Sequence, residues 1–93
     1  MSASPILLDP VCGMAQALEL RGKLIGALDT SPECVVDASK IERVATPCIQ
    51  LLIAADRAAR AKGGHLHITA FSPAFALACG DMGLAETLAQ WSL

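Results

Sequence analysis

Cys34-Val35-Val36-Asp37-Ala38-Ser39, followed after a short polar stretch by Val44-Ala45-Thr46-Pro47-Cys48-Ile49-Gln50-Leu51-Leu52, decides the fold. The first run is short, apolar and β-branched, which reads as a buried strand over 34–38. Ser39 to Val44 reads as a connecting loop. Thr46-Pro47 then opens a helix, with Thr46 as the N-cap and Pro47 at the first helical position, where a missing N–H costs nothing. Ile49, Leu52, Ile53 and Ala59 give that helix an apolar face up to about Lys62, with Asp56, Arg57 and Arg60 turned to water. Gly63-Gly64 stops it. His65-Leu66-His67-Ile68-Thr69-Ala70 alternates with period two, so Leu66 and Ile68 share one strand face and His65, His67 and Thr69 the other. A strand, a helix and a strand in this order make a parallel crossover unit.

The flanks extend the pattern. Ser72-Pro73 repeats the cap-plus-proline signal and predicts a helix over 72–79. Gly80 to Gly83 is a turn, and 84–91 a last short helix. Upstream, Pro5 to Leu8 reads as a strand closed by Asp9-Pro10. Val11, Met14, Ala15, Leu18, Ile25 and Leu28 recur at helical steps and predict the buried face of a helix over 11–28. The order is β-α-β-α-β-α-α. The expected fold is α/β: a small mixed, mostly parallel sheet with its helices packed mainly on one face. Val35, Ile49, Leu52, Ile53, Leu66 and Ile68 are expected at its centre.

Ninety-three residues are enough for one core, so 1–93 reads as a single domain. Apolar residues make up 54% of the chain and charged residues 17%, which excludes disorder. The net charge of −2 and the scarcity of aromatics give no footprint for nucleic acid. Apolar runs end well short of the roughly 20 residues of a membrane span, so direct membrane insertion is not expected. Met1 to Pro5 carries no leader pattern, and Cys12, Cys34, Cys48 and Cys79 form no CxxC pair. Reduced thiols and a cytoplasmic location follow as expectations.

No constellation points to catalysis. Cys48 lies in the first turn of a helix, where the dipole favours a thiolate, yet no base is placed beside it by the sequence. Asp37 and Asp56 fall on different elements. His65 and His67 share a strand face, but two ligands do not make a zinc site and no third has suitable spacing. No cofactor and no metal are expected.

The ordered set Val35-Val36-Asp37-Ala38-Ser39, Val44 to Leu52, Gly63-Gly64, Ser72-Pro73-Ala74-Phe75 and Met82-Gly83-Leu84 resembles the STAS family, the anti-sigma-factor-antagonist fold, over 34–91. The Thr-Pro-Cys-Ile-Gln variant resembles the subgroup encoded near bacterial chemotaxis components. The resemblance implies a protein that binds other proteins around the start of the central helix, where switching members are phosphorylated on Ser or Thr. Residue by residue, the family's acidic position falls on Ala45, the preceding hydroxyl on Thr46, the usual phosphorylated position on Pro47 and the glycine on Cys48. Thr46 and Ser39 are therefore the candidate phosphorylation residues, and Ser39, Ala45, Thr46 and Cys48 the candidate partner-binding residues. The partner implied is an anti-sigma factor with serine-kinase activity, a chemotaxis component or a transporter ATPase. Two functions stand side by side: a phospho-switched regulatory module of a bacterial signalling pathway, and a constitutive structural subunit of a lipid-transport ABC complex.

Overall fold

Ile6–Leu7 forms β1 and Val11–Cys12 β2; then follow α1 (Met14–Thr30), β3 (Cys34–Ala38), β4 (Arg43–Val44), α2 (Thr46–Ala61), β5 (Leu66–Phe71), α3 (Pro73–Asp81) and α4 (Ala85–Trp91). The computed structural model describes residues 5–92. Met1 to Ser4, read above for a leader, and Leu93 lie outside the described residues. Among the described residues no helix is long and apolar enough to cross a membrane.

β1, β3 and β5 form a parallel sheet in the spatial order β1-β3-β5. Right-handed crossovers that step in one direction across a sheet leave their helices on one face, and α1 and α2 accordingly pack side by side. β2 and β4 make a second, two-stranded parallel ladder. The sequence pattern predicts the start of a helix at the first of these segments and a loop at the second. The Pro10 carbonyl accepts from both Glu42 and Arg43 N–H, and Ala45 N–H donates to the Cys12 carbonyl. Those bonds hold Val11–Cys12 extended, so α1 begins later than expected, with Gly13 as N-cap and Gln16 Oε1 accepting from Gly13 N–H (3.0 Å).

The core contains Ile49, Leu52, Leu66 and Ile68 as expected, and Phe75 and Trp91 close it from α3 and α4. Burying each such side chain contributes roughly 1.5–3 kcal/mol. Two central residues are corrected. Val36, not Val35, is fully buried on β3, because the inward set is Cys34, Val36 and Ala38; Ile53 is only partly buried. A continuous apolar run does not reveal which of its two faces points inward. Asp56 is a third correction. Its side chain does not face water but accepts from Leu66 N–H (3.0 Å) and from Arg60 Nε (2.9 Å), tying α2 to the start of β5. Burial pushes its carboxyl up; these bonds and the nearby Trp91 indole outweigh that and hold it below the usual range.

α2 ends in two hydrogen bonds, Gly63 N–H to the Arg60 carbonyl and Gly64 N–H to the Ala59 carbonyl, with Gly63 left-handed at φ +91°. Gly64 then packs against the Pro32 backbone: a Cβ at Gly64 would lie 2.1 Å from the Pro32 oxygen. Ser72 caps α3 as expected. It accepts from Phe75 N–H and donates to the Ile41 carbonyl (2.6 Å), which anchors the loop after β3.

Candidate docking surface

Each of the first three helices follows a strand of a parallel ladder, so the starts of α1, α2 and α3 gather at the carboxyl ends of the strands. That edge is where open α/β sheets usually bind their ligands. Thr46 stands there, exposed, at the first position of α2. It is not the cap. Ala45 occupies that place with extended backbone (φ −80°, ψ 149°), and no side chain caps the helix. The Ala45 N–H bond to Cys12 sets this start one residue earlier than the Thr-Pro signal implied. Pro47 lacks an N–H, and Cys48 N–H is bonded to the Ala45 carbonyl (3.0 Å). The head of α2 therefore holds fewer free amides than a helix start normally has.

Ser39 is exposed at the end of β3. Its hydroxyl and amide turn back on the Asp37 carboxylate, with the amide at 2.8 Å, and hold that carboxyl below its usual range. This is a local turn that fixes the strand end. Cys48, expected among the partner-facing residues, is fully buried. Its Sγ lies 2.7 Å from Cys12 Sγ and within reach of the Cys12 and Gly13 carbonyls. It supports the surface from beneath and presents nothing to a partner.

The largest correction concerns α1. Met14, Leu18 and Ile25, expected on the buried face, are 71%, 77% and 47% exposed; Ala17, Leu20 and Leu24 are buried instead. The helix is apolar on two sides, and the sequence pattern alone does not say which side meets the sheet. A helix apolar on two faces is nevertheless the signal that a second surface exists. Met14 and Leu18 line an open groove of about 620 Å³ whose other wall is Pro47, Gln50 and Leu51 of α2. A second groove of about 200 Å³ continues it past Arg21 and Leu51 to Ile25 and Ala58. Apolar surface thus runs from beside Thr46 along the seam of α1 and α2. Single exposed apolar side chains are ordinary, whereas a contiguous stripe marks an interaction site.

A family model described as "Mlab, STAS domain" matches residues 6–90. The chain belongs to the STAS domain family. The comparisons with curated proteins and with solved structures return no match. The α/β architecture of the described residues, with its parallel strands and four helices, is that of a STAS domain. Membership implies a general regulatory role of the anti-sigma-factor-antagonist-like or sulfate-transporter-related kind, exercised through protein–protein interaction.

The buried thiols of this STAS domain give a pH prediction. Burial pushes Cys12 up from an ordinary value of 9.0 to about 12, helped by the Cys48 thiol and by Asp9, and burial raises Cys34 and Cys79 too. Between those values the unfolded chain releases protons that the folded chain keeps, so stability falls as pH rises. The contribution is fully present below the unfolded value and is lost as pH climbs through 9.0 toward 12. Urea midpoints measured across that window should fall steadily in wild type. They should fall less in Cys12→Ala; equal slopes in the two proteins would contradict the assignment.

Proposed function

We propose that this STAS domain is a non-catalytic, cytoplasmic regulatory module, one domain over its whole length, of a bacterial signalling pathway of the anti-sigma-factor-antagonist or chemotaxis-associated type. It docks a partner protein on the head of α2 and the apolar seam beside it, and phosphorylation of Thr46 switches the contact. The observation that carries this reading is the position of Thr46: an exposed hydroxyl, free of any capping bond, directly before Pro47, which lines the apolar groove. A phosphate there brings about −1.5 to −2 charge to an otherwise apolar contact. Its effect on the partner is repulsion and desolvation, since Pro47 and the bonded Cys48 amide leave little backbone to cradle it.

A second reading has its own support. Pro47 occupies the usual phosphorylated position and has no hydroxyl, which fits a domain that is a constitutive subunit of a lipid-transport ABC complex. Affinity capture from the native host, read by mass spectrometry for partners and for phosphate on Thr46, separates the two. A kinase-type ATPase or chemotaxis protein supports the first reading, and transporter subunits without phosphate support the second.

Calorimetry with the recovered partner then tests the switch. Thr46→Glu should weaken binding about tenfold or more, equivalent to 1.4 kcal/mol. Thr46→Ala should bind like wild type and change stability by less than about 0.5 kcal/mol, because no cap is lost. Undiminished binding by Thr46→Glu would place the docking surface elsewhere.

A further inference from the structure

We propose that Glu33, His65 and His67 form a surface site for a divalent transition-metal ion, zinc by the character of its donors. His67 lies on β5, and His65 and Glu33 directly precede β5 and β3, two neighbouring parallel strands. His65 and His67 are two residues apart around β5 and share its outer face, while Leu66 between them is buried. Val35 pairs with His67 and Cys34 with Leu66, so Glu33, directly before β3, falls beside His65. The backbone register therefore places the three residues at adjacent positions of the sheet.

The side chains complete the arrangement. One ligand atom from each residue lies within 4.8 Å of the others. The imidazole centroids of His65 and His67 are 3.8 Å apart and tilted by 41°, and Glu33 Oε2 contacts His67 Nε2. His65 Nδ1 donates to the Leu66 carbonyl (2.9 Å). That bond leaves Nε2 with the free lone pair, the tautomer and orientation typical of a metal-bound imidazole.

Two imidazoles and one carboxylate are a known zinc donor set, with a fourth position left to water or to an outside ligand. An ion entering between Glu33 and His67 replaces their contact, and any proton shared there leaves to solvent. Both segments are also pinned. Gly64 packs on the Pro32 carbonyl, and Cys34 N–H donates to the His65 carbonyl (3.3 Å). The carrier backbone is thus preorganised, and small side-chain rotations suffice to close the shell. The site lies at the amino-terminal ends of β3 and β5, the opposite end of the sheet from the head of α2.

The test uses the full chain, freed of metal with a chelator and titrated with zinc chloride by calorimetry, then with cobalt(II) by visible absorption. One zinc ion per chain should bind and raise the melting temperature. His65→Ala, His67→Ala and Glu33→Gln should each weaken binding at least about tenfold. Cobalt should give ligand-field bands without thiolate charge transfer. Thr46→Glu should bind zinc like wild type, which separates this inference from the docking proposal. Should a variant misfold, zinc-dependent shifts of the two imidazole signals in wild-type NMR spectra answer the question directly. No one-to-one binding, unmoved imidazole signals, or thiolate-to-cobalt bands that place the metal on cysteine would each overturn the proposal.

Discussion

Gly64→Ala is expected to lower the unfolding free energy by roughly 3 kcal/mol or more, at the upper end of single-residue effects. The cause is steric. A Cβ at Gly64 would meet the Pro32 oxygen at 2.1 Å and its carbonyl carbon at 2.5 Å, and both are backbone atoms that cannot rotate away. Relief requires moving the turn before β3, the central strand of the sheet, or the start of β5, which pairs with it along its length. Two other glycines calibrate the effect. Gly63→Ala meets no atom but places a Cβ on left-handed backbone, a cost of roughly 1–2 kcal/mol. Gly22→Ala lies in open space within α1, where the better helix former should stabilise by up to about 1 kcal/mol. Urea denaturation of the three variants gives the ranking. A Gly64→Ala protein within 1 kcal/mol of wild type, by the same energy scale, would show that the Pro32 approach is not enforced.

Leu18→Glu is expected to abolish most of the partner affinity while leaving the fold intact. Leu18 is 77% exposed, so its replacement by a good helix former should move stability by less than about 0.5 kcal/mol. At the centre of a docking surface, however, a buried carboxylate replaces an apolar anchor. A loss of at least about 2 kcal/mol is expected, or roughly 30-fold in affinity. Ala89→Glu, on the exposed side of α4, adds the same charge away from the seam and should bind like wild type. Calorimetry against the recovered partner reads both. Equal affinities for the two variants would remove the α1–α2 seam from the interface.

The contrast between Leu18 and Leu66 shows how far the sequence could be read. Leu66 sits in a strictly alternating strand between His65 and His67, and alternation assigns its face without further information. Leu18 sits in a helix that carries apolar residues at 14, 18 and 25 and again at 17, 20 and 24. Periodicity identifies the helix but cannot choose between two apolar faces, because the choice is made by the sheet it packs on. The same limit explains Val36 in place of Val35. The short β2–β4 ladder was invisible for a different reason: two-residue strands carry no period, and tertiary hydrogen bonds alone hold them.

The candidate site was legible in part. The Thr46-Pro47 signal located the head of α2, while the identity of its cap depended on Ala45 being drawn to Cys12. Glu33 was missed as a partner of His65 and His67 because its nearness is a matter of strand register, which sequence spacing does not encode.

The central claim is that the partner docks on the head of α2 and the seam beside it. Amide hydrogen exchange of the STAS domain, with and without saturating partner, tests this most directly. Slowed exchange is expected over residues 14–25 and 46–51, with residues 65–69 and 85–91 unchanged. Protection confined to the outer face of β5 or to α4, with 14–25 and 46–51 exchanging as in the free protein, would contradict it.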